Sequence, residues 1–265
     1  MKKKTEKAYF DEQWGGMTTH LKAFIGSGDQ EELHLFRVQA KKIRAMLTLL
    51  DFASPKHQLL RGFKPIKKIF KHCGIIRNAY INLQLGARYH LNNEQFISGQ
   101  QYIMENGVVE FKTQSEKYLK TVKSTYYDLK SGLRQVDNDN INAFYKIYLE
   151  RASDALSPLQ FNEELHICRM QIKILMYNRK IAFKALDGKL PVNTVYLDKL
   201  QDKIGNWHDN VLAIELFSTP ELKDERVIAE IKKQNTRLKR AITTLAKGFE
   251  KKVILEEKPI SENKK

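Results

Sequence analysis

At 265 residues the chain can bury a substantial core, as one large domain or two small ones. Its 46 lysines and arginines against 31 acids give a net charge of +15. A solvated, charge-rich surface is the plain explanation; a polyanionic partner such as polyphosphate, nucleic acid or an anionic membrane face is the better one. No apolar run reaches the length of about 18 residues that a membrane span requires.

Cys73 and Cys168 each fall inside a helical pattern, with no second cysteine at metal-ligand spacing. They predict buried free thiols in a reducing compartment. The opening MKKKTEKAYF is basic but no apolar segment of a secretory signal follows, so the expected location is the cytoplasm.

In chain order, residues 5–25 read as a first helix weakened at Gly15-Gly16. Gly26-Ser27-Gly28-Asp29 breaks the pattern, and Asp29 with Glu32 three residues on offers a capping box for a second helix closing near Asp51. Ser54-Pro55 marks a turn. A third pattern carries Leu60, Phe63, Ile66, Ile69, Ile76 and Leu83 towards Leu91. Asn92-Asn93 opens a long fourth helix, with an interruption at Asn106-Gly107 and an end near Gly132. The polar Asp137-Asn138-Asp139-Asn140 at mid-chain is the best internal boundary. Helices are then expected over 141–156, 158–185, 192–217 and 221–256, with a flexible tail over 256–265. No strand alternation or hairpin signal occurs, so the fold class is all-α with about eight helices.

The second helix carries the chemistry. At about 100° per residue, Phe36, Ala40, Ile43, Leu47 and Leu50 cluster within about 80° as a core stripe. His34, Arg37, Lys41 and Arg44 fall within about 80° on an adjoining side. Steps of three and four place a cationic or potentially cationic group about every 5 Å of helix, a ruler for a polyanion.

That segment recurs. EELHLFRVQAK at 31–41 returns as EELHICRMQIK at 163–173, matching His34 to His166, Arg37 to Arg169 and Lys41 to Lys173. A second pair follows in the same order: IFKHCGIIRNAYI at 69–81 aligns with LQDKIGNWHDNVL at 200–212. Gly74 then meets Gly205, Arg77 meets His208 and Asn78 meets Asp209. Two matched segments at nearly one shift predict an internal duplication, with repeats over about 5–135 and 139–255. Short connections favour antiparallel neighbours, hence two pseudo-symmetric four-helix bundles. Such symmetry would bring the two histidine helices together to line a shared basic groove or pore.

The succession of H-x-x-R-x-x-x-K-x-x-R, G-x-x-R-N, a second H-x-x-R and G-x-x-H-D resembles the CHAD family, the conserved histidine α-helical domain, over roughly residues 5–250. The resemblance implies a helical protein of two pseudo-symmetric bundles that binds inorganic polyphosphate along a basic pore. It further implies association with polyphosphate granules in some members, and company with CYTH-type triphosphatases or other polyphosphate enzymes. Carried over by position, the matching residues are His34, Arg37, Lys41, Arg44, Arg77, His166, Arg169, Lys173 and His208. Asn78 stands where the family pattern has Asp, whereas Asp209 keeps it. Ile174 and Met176 replace basic residues that usually follow Lys173, so the first half is expected to contribute more of the anion contacts.

Arg offers a planar fork to phosphate oxygens and Lys a mobile point charge, so a row of both suits a polyanion without base edges to read. Lys42, Lys67, Lys71 and Lys180 extend the candidate set; Lys64 shares the face of Lys67 and Lys71. Taken alone, Arg37 and Lys41 could be a solvated face; their repetition argues otherwise. His34 and His166 can donate to phosphate or order their neighbours. Asp209 reads as a structural partner of an Arg or a helix end, and Gly74 and Gly205 as close-packing positions. Walker A, dinucleotide and zinc signatures are missing, as is the E-x-E-x-K segment of CYTH triphosphatases, so neither an enzyme nor a cofactor is expected. The alternatives are a basic helical nucleic-acid binder, which would want exposed aromatic platforms or a recognition helix, an accessory module of a triphosphatase, and a helical adaptor whose basic groove takes an acidic protein.

Overall fold

The computed structural model describes residues 3–255. The tail over 256–265 lies outside the described residues. Eleven α-helices follow in order: α1 (Lys3–Ser27), α2 (Gln30–Ala53), α3 (Leu59–Gly62), α4 (Lys64–Arg88), α5 (Glu94–Thr113), α6 (Ser115–Gly132), α7 (Asn138–Leu156), α8 (Glu163–Ala185), α9 (Thr194–Phe217), α10 (Glu225–Ala246) and α11 (Phe249–Val253). Among the described residues the sole β pairing is an isolated antiparallel bridge, Val192 with Ile254. No helix among them is long and apolar enough to cross a membrane.

The boundaries are set by side-chain caps. Asp29, Asn93, Asp137, Asn162, Asn193 and Asp224 each accept from a backbone N–H in the first turn of α2, α5, α7, α8, α9 and α10. Each such cap contributes about 1 kcal/mol. The expected capping box at Asp29 forms only in part. Asp29 accepts from the Glu31 N–H at 2.7 Å, but Glu32 turns to Nδ1 of His20 at 2.7 Å and clamps α2 to α1.

The count of eight helices is corrected where the chain bends without a conspicuous breaker. The long fourth helix divides at Gln114 and runs through Asn106-Gly107. Gly107 is there because a Cβ would lie 2.7 Å from Ile76 Cγ1 of α4. The third pattern splits at Phe63, and Asp51 accepts from the Leu59 and Leu60 N–H groups to start α3. The last pattern starts at Glu225 and breaks at Gly248, whose φ of 70° suits glycine. Residues 158–162 precede α8 and do not join it. Gly15-Gly16 leaves α1 unbroken, and Gly16 receives Gln39 of α2.

Helix α2 sits at the centre. Its core stripe of Phe36, Ala40, Ile43, Leu47 and Leu50 is buried, each large side chain contributing about 1.5–3 kcal/mol. It packs against α1, α4, α7 and α8, while α8 in turn packs against α7, α9 and α1. Asn178, fully buried on α8, donates to the Ala45 main-chain oxygen of α2 at 2.9 Å and fixes how the two helices meet. Cys73 and Cys168 are buried free thiols, and burial pushes both up to about 12.

Candidate anion-binding site

The α2/α4 pair runs antiparallel in a register that two arginines define. Arg37 Nη1 donates to the Phe70 main-chain oxygen at 2.8 Å, and Arg77 Nη1 donates to that of Gln30 at 3.3 Å. Each guanidinium also covers an aromatic ring, Arg37 over Phe70 at 4.0 Å and Arg77 over Tyr80 at 5.0 Å. Such stacking holds an arginine in place while leaving several donors of its fork uncommitted. Gly74 makes room for this: a Cβ there would stand 3.2 Å from Arg37 Nη1. Burial and the charge of Arg77 pull the Arg37 guanidinium below its ordinary value, though not out of its charged form.

The α8/α9 pair repeats the arrangement. Arg169 Nε donates to the Gln201 main-chain oxygen at 3.1 Å. Gly205 provides the space, since a Cβ there would lie 2.6 Å from Arg169 Nη2. His166 and His208 stack with ring centroids 3.9 Å apart, and His166 Nδ1 is buried without a hydrogen-bond partner among the described residues. Desolvation and the neighbouring His208 hold His166 below the ordinary histidine value. His34 is also held low, by desolvation and then by Arg77, against the opposing pull of Glu31.

The two pairs meet at Lys41. It keeps accessible surface yet is hemmed in: desolvation, then the charges of Arg37, Lys173 and Arg169, push its ammonium down to about 8. Lys173 lies over the Tyr177 ring at 5.7 Å and is also depressed, by desolvation first and Arg169 second. Four cations from two helices thus converge, and among the described residues none of them forms an ion pair. Like charges held together are costly, and an anion placed among them would relieve the cost.

The other candidates take different places. Lys67 and Lys71 are exposed on α4, on the helical face of Gly74. Arg44 is exposed and its charge acts on Tyr148 of α7. Lys42 and Lys180 do not join the cluster directly. They line a hollow of about 470 Å³ between α1 and α8, where both Glu12 carboxylate oxygens accept from Lys180, at 2.7 and 2.9 Å. Tyr177 lines that hollow too, so it adjoins the cluster. Asn78 and Asp209 are exposed; among the described residues Asp209 pairs with no arginine, but it acts by charge on His166 and Lys173. Among the described residues no group of three or more His, Cys, Asp or Glu is placed to hold a metal.

Sequence reasoning missed the aromatic floors Phe70, Tyr80 and Tyr177, whose spacing resembles ordinary core pattern. It also missed Gln201, Asp198 and Asp202. Gln201 Nε2 donates to Asp198 Oδ1 at 3.0 Å and to Asp202 Oδ1 at 2.7 Å, and both carboxylates act on Lys173.

The fold is a helical scaffold that draws arginines and lysines of α2 and α8 together. The CHAD domain profile matches residues 8–218, and the chain belongs to the CHAD family. The crystal structure of the CHAD domain from the plant Ricinus communis is similar in fold, with a TM-score of 0.64 over 93% of this chain and 91% of that one, at 14% identity. No curated protein matches.

Proposed function

We propose that the chain binds inorganic polyphosphate, without turning it over, on the surface formed by α2, α4, α8 and α9. The observation that carries this reading is the convergence of Arg37, Lys41, Arg169 and Lys173, none of which has a carboxylate within ion-pair distance among the described residues. Both arginines are anchored by one donor and present the rest of the fork, an arrangement suited to phosphate oxygens. Lys67, Lys71 and Arg44 extend the positive field along α2 and α4, and His34, Arg77, His166 and His208 flank it.

The reading includes an internal duplication into two antiparallel four-helix bundles, one from each half, about a basic groove. Its support is the repeated Arg-to-carbonyl bond and an exchange of contacts: α2 packs on α7 as α1 packs on α8. A two-fold axis beside α2 and α8 would interchange those pairs. Cytoplasmic residence, attachment to polyphosphate granules and work beside a CYTH-type triphosphatase or other polyphosphate enzyme belong to the same proposal.

The test is a competition titration of labelled long-chain polyphosphate against single-stranded and duplex DNA at two salt concentrations. Polyphosphate should win, with an affinity that falls steeply with salt. Preference for either DNA overturns the reading in favour of a nucleic-acid binder. A folded Arg37→Ala/Arg169→Ala variant that binds undiminished shows the face to be wrong.

A further inference from the structure

The alignment of 69–81 with 200–212 sets Phe70 against Gln201, and both main-chain oxygens receive a guanidinium, from Arg37 and Arg169. The same shift sets Lys67 against Asp198 and Lys71 against Asp202. Both positions are therefore reversed in charge between the halves. The two acids are held in place, because the Gln201 side-chain amide donates to one oxygen of each, and the Gln201 main chain carries Arg169. One residue thus fixes a guanidinium and two carboxylates on a single stretch of α9.

The balance of charge differs accordingly. On the α2/α4 side the candidate residues contribute seven arginine and lysine charges; apart from Lys42, which lines the hollow beside Glu12, these are Arg37, Lys41, Arg44, Lys67, Lys71 and Arg77. Near the cluster on α8/α9 they contribute two, Arg169 and Lys173, opposed by Asp198, Asp202 and Asp209; Lys180 is taken up by Glu12. Lys173 feels all three aspartates, whereas the charges acting on Lys41 are those of Arg37, Lys173 and Arg169.

We infer that Asp198 and Asp202 are specificity-determining residues that turn a polyphosphate chain away from the α8/α9 side, so that it seats along α2 and α4. The inference rests on the polyphosphate reading above. A phosphate run laid across α9 would meet two fixed carboxylates, while the row from His34 to Arg44 offers about 15 Å of helix at 1.5 Å per residue. Arg169 and Lys173 then reach the chain only where it passes Lys41.

The experiment uses the full chain and compares wild type, Asp198→Asn/Asp202→Asn and Asp198→Lys/Asp202→Lys by titration with long-chain polyphosphate across a salt series, in a chelator-containing buffer. Asparagine keeps an acceptor for the Gln201 amide and both positions are exposed, so the fold is retained; circular dichroism checks it. The asparagine variant should bind about three- to ten-fold more tightly at low salt. The lysine variant should bind tighter still, with a salt slope steeper by about 1 as phosphates engage α9. Unchanged or weakened binding in both folded variants, with wild-type binding intact and sensitive to Arg37→Ala, overturns this inference alone. Failure of the wild type to bind polyphosphate overturns the functional reading and the inference with it.

Discussion

Replacing Lys41 by Met should make the ligand-free protein more stable and a worse polyphosphate binder. Methionine keeps an unbranched stem and a good helix propensity while removing the charge. Displacement of the ammonium from 10.5 to about 8 would correspond to about 3 kcal/mol if fully felt. Lys41 keeps accessible surface, so solvent screening reduces the expected gain to about 1 kcal/mol. In a chain of this size that is a rise of about 2–4 °C in melting temperature. The pH dependence fixes the sign. Between about 8 and 10.5 the unfolded chain binds more protons at this lysine than the folded one, so wild-type stability rises with pH across that window. The variant should lose that rise. Scanning calorimetry from pH 7 to 10.5 without ligand reads the stability, and titration at pH 7 should show binding about three- to ten-fold weaker. An unchanged or lower melting temperature, together with undiminished affinity, would refute the view that Lys41 stands under like-charge stress relieved by an anion.

Gly205→Ala should mimic loss of Arg169, because the new Cβ at 2.6 Å expels the guanidinium from its carbonyl; calorimetry should show a loss of about 1 kcal/mol, with weakened binding. Gly74→Ala, at 3.2 Å from Arg37, should be milder in the same assays. His34 and His166 lie below their ordinary value of 6.5 in the free protein, so a bound polyanion that draws protons onto them should make affinity rise as pH falls below about 7. Titration at pH 5.5 and 7.5 should show this in wild type and a flatter response in His34→Ala/His166→Ala. Free-protein stability should instead fall as pH drops through 6.5, because the unfolded histidines take up protons first. Asn178→Ala removes the buried bond to Ala45 and should lower stability by about 2 kcal/mol in chemical denaturation.

The helical fold was legible because long segments without proline carry an unambiguous period, and because Asp and Asn stand at the starts that they cap. Boundaries were harder where tertiary contact overrides local signal. Gly107 reads as a breaker, but the requirement to admit Ile76 puts it inside a helix. Gln114 gives no warning at all of the division between α5 and α6. For the candidate site, repetition exposed Arg37, Lys41, Arg169 and Lys173, since a spacing kept twice is unlike an ordinary solvated face. Where Lys180 lies was not legible, because a helical wheel ranks angles and cannot say which neighbour fills a given direction; Glu12 of α1 pairs with it. Asp198 and Asp202 were readable from the alignment, yet their meaning needed Gln201 to tie them to Arg169.

The anchoring of Arg37 and Arg169 on main-chain carbonyls also bears on how the proposed site would discriminate. Ordering a free, rotamer-rich side chain at an interface costs about 0.5–1.5 kcal/mol, and here folding has already met that cost for the two central arginines. Lys67 and Lys71 are exposed and have it still to meet. A bound chain would therefore find a stiff middle and compliant margins. The middle would be intolerant of a wrong spacing between successive anions, while the margins would accept bends, ends and chains of unequal length. On the proposed reading, such a surface would be strict about the repeat unit of its ligand and indifferent to how many units there are.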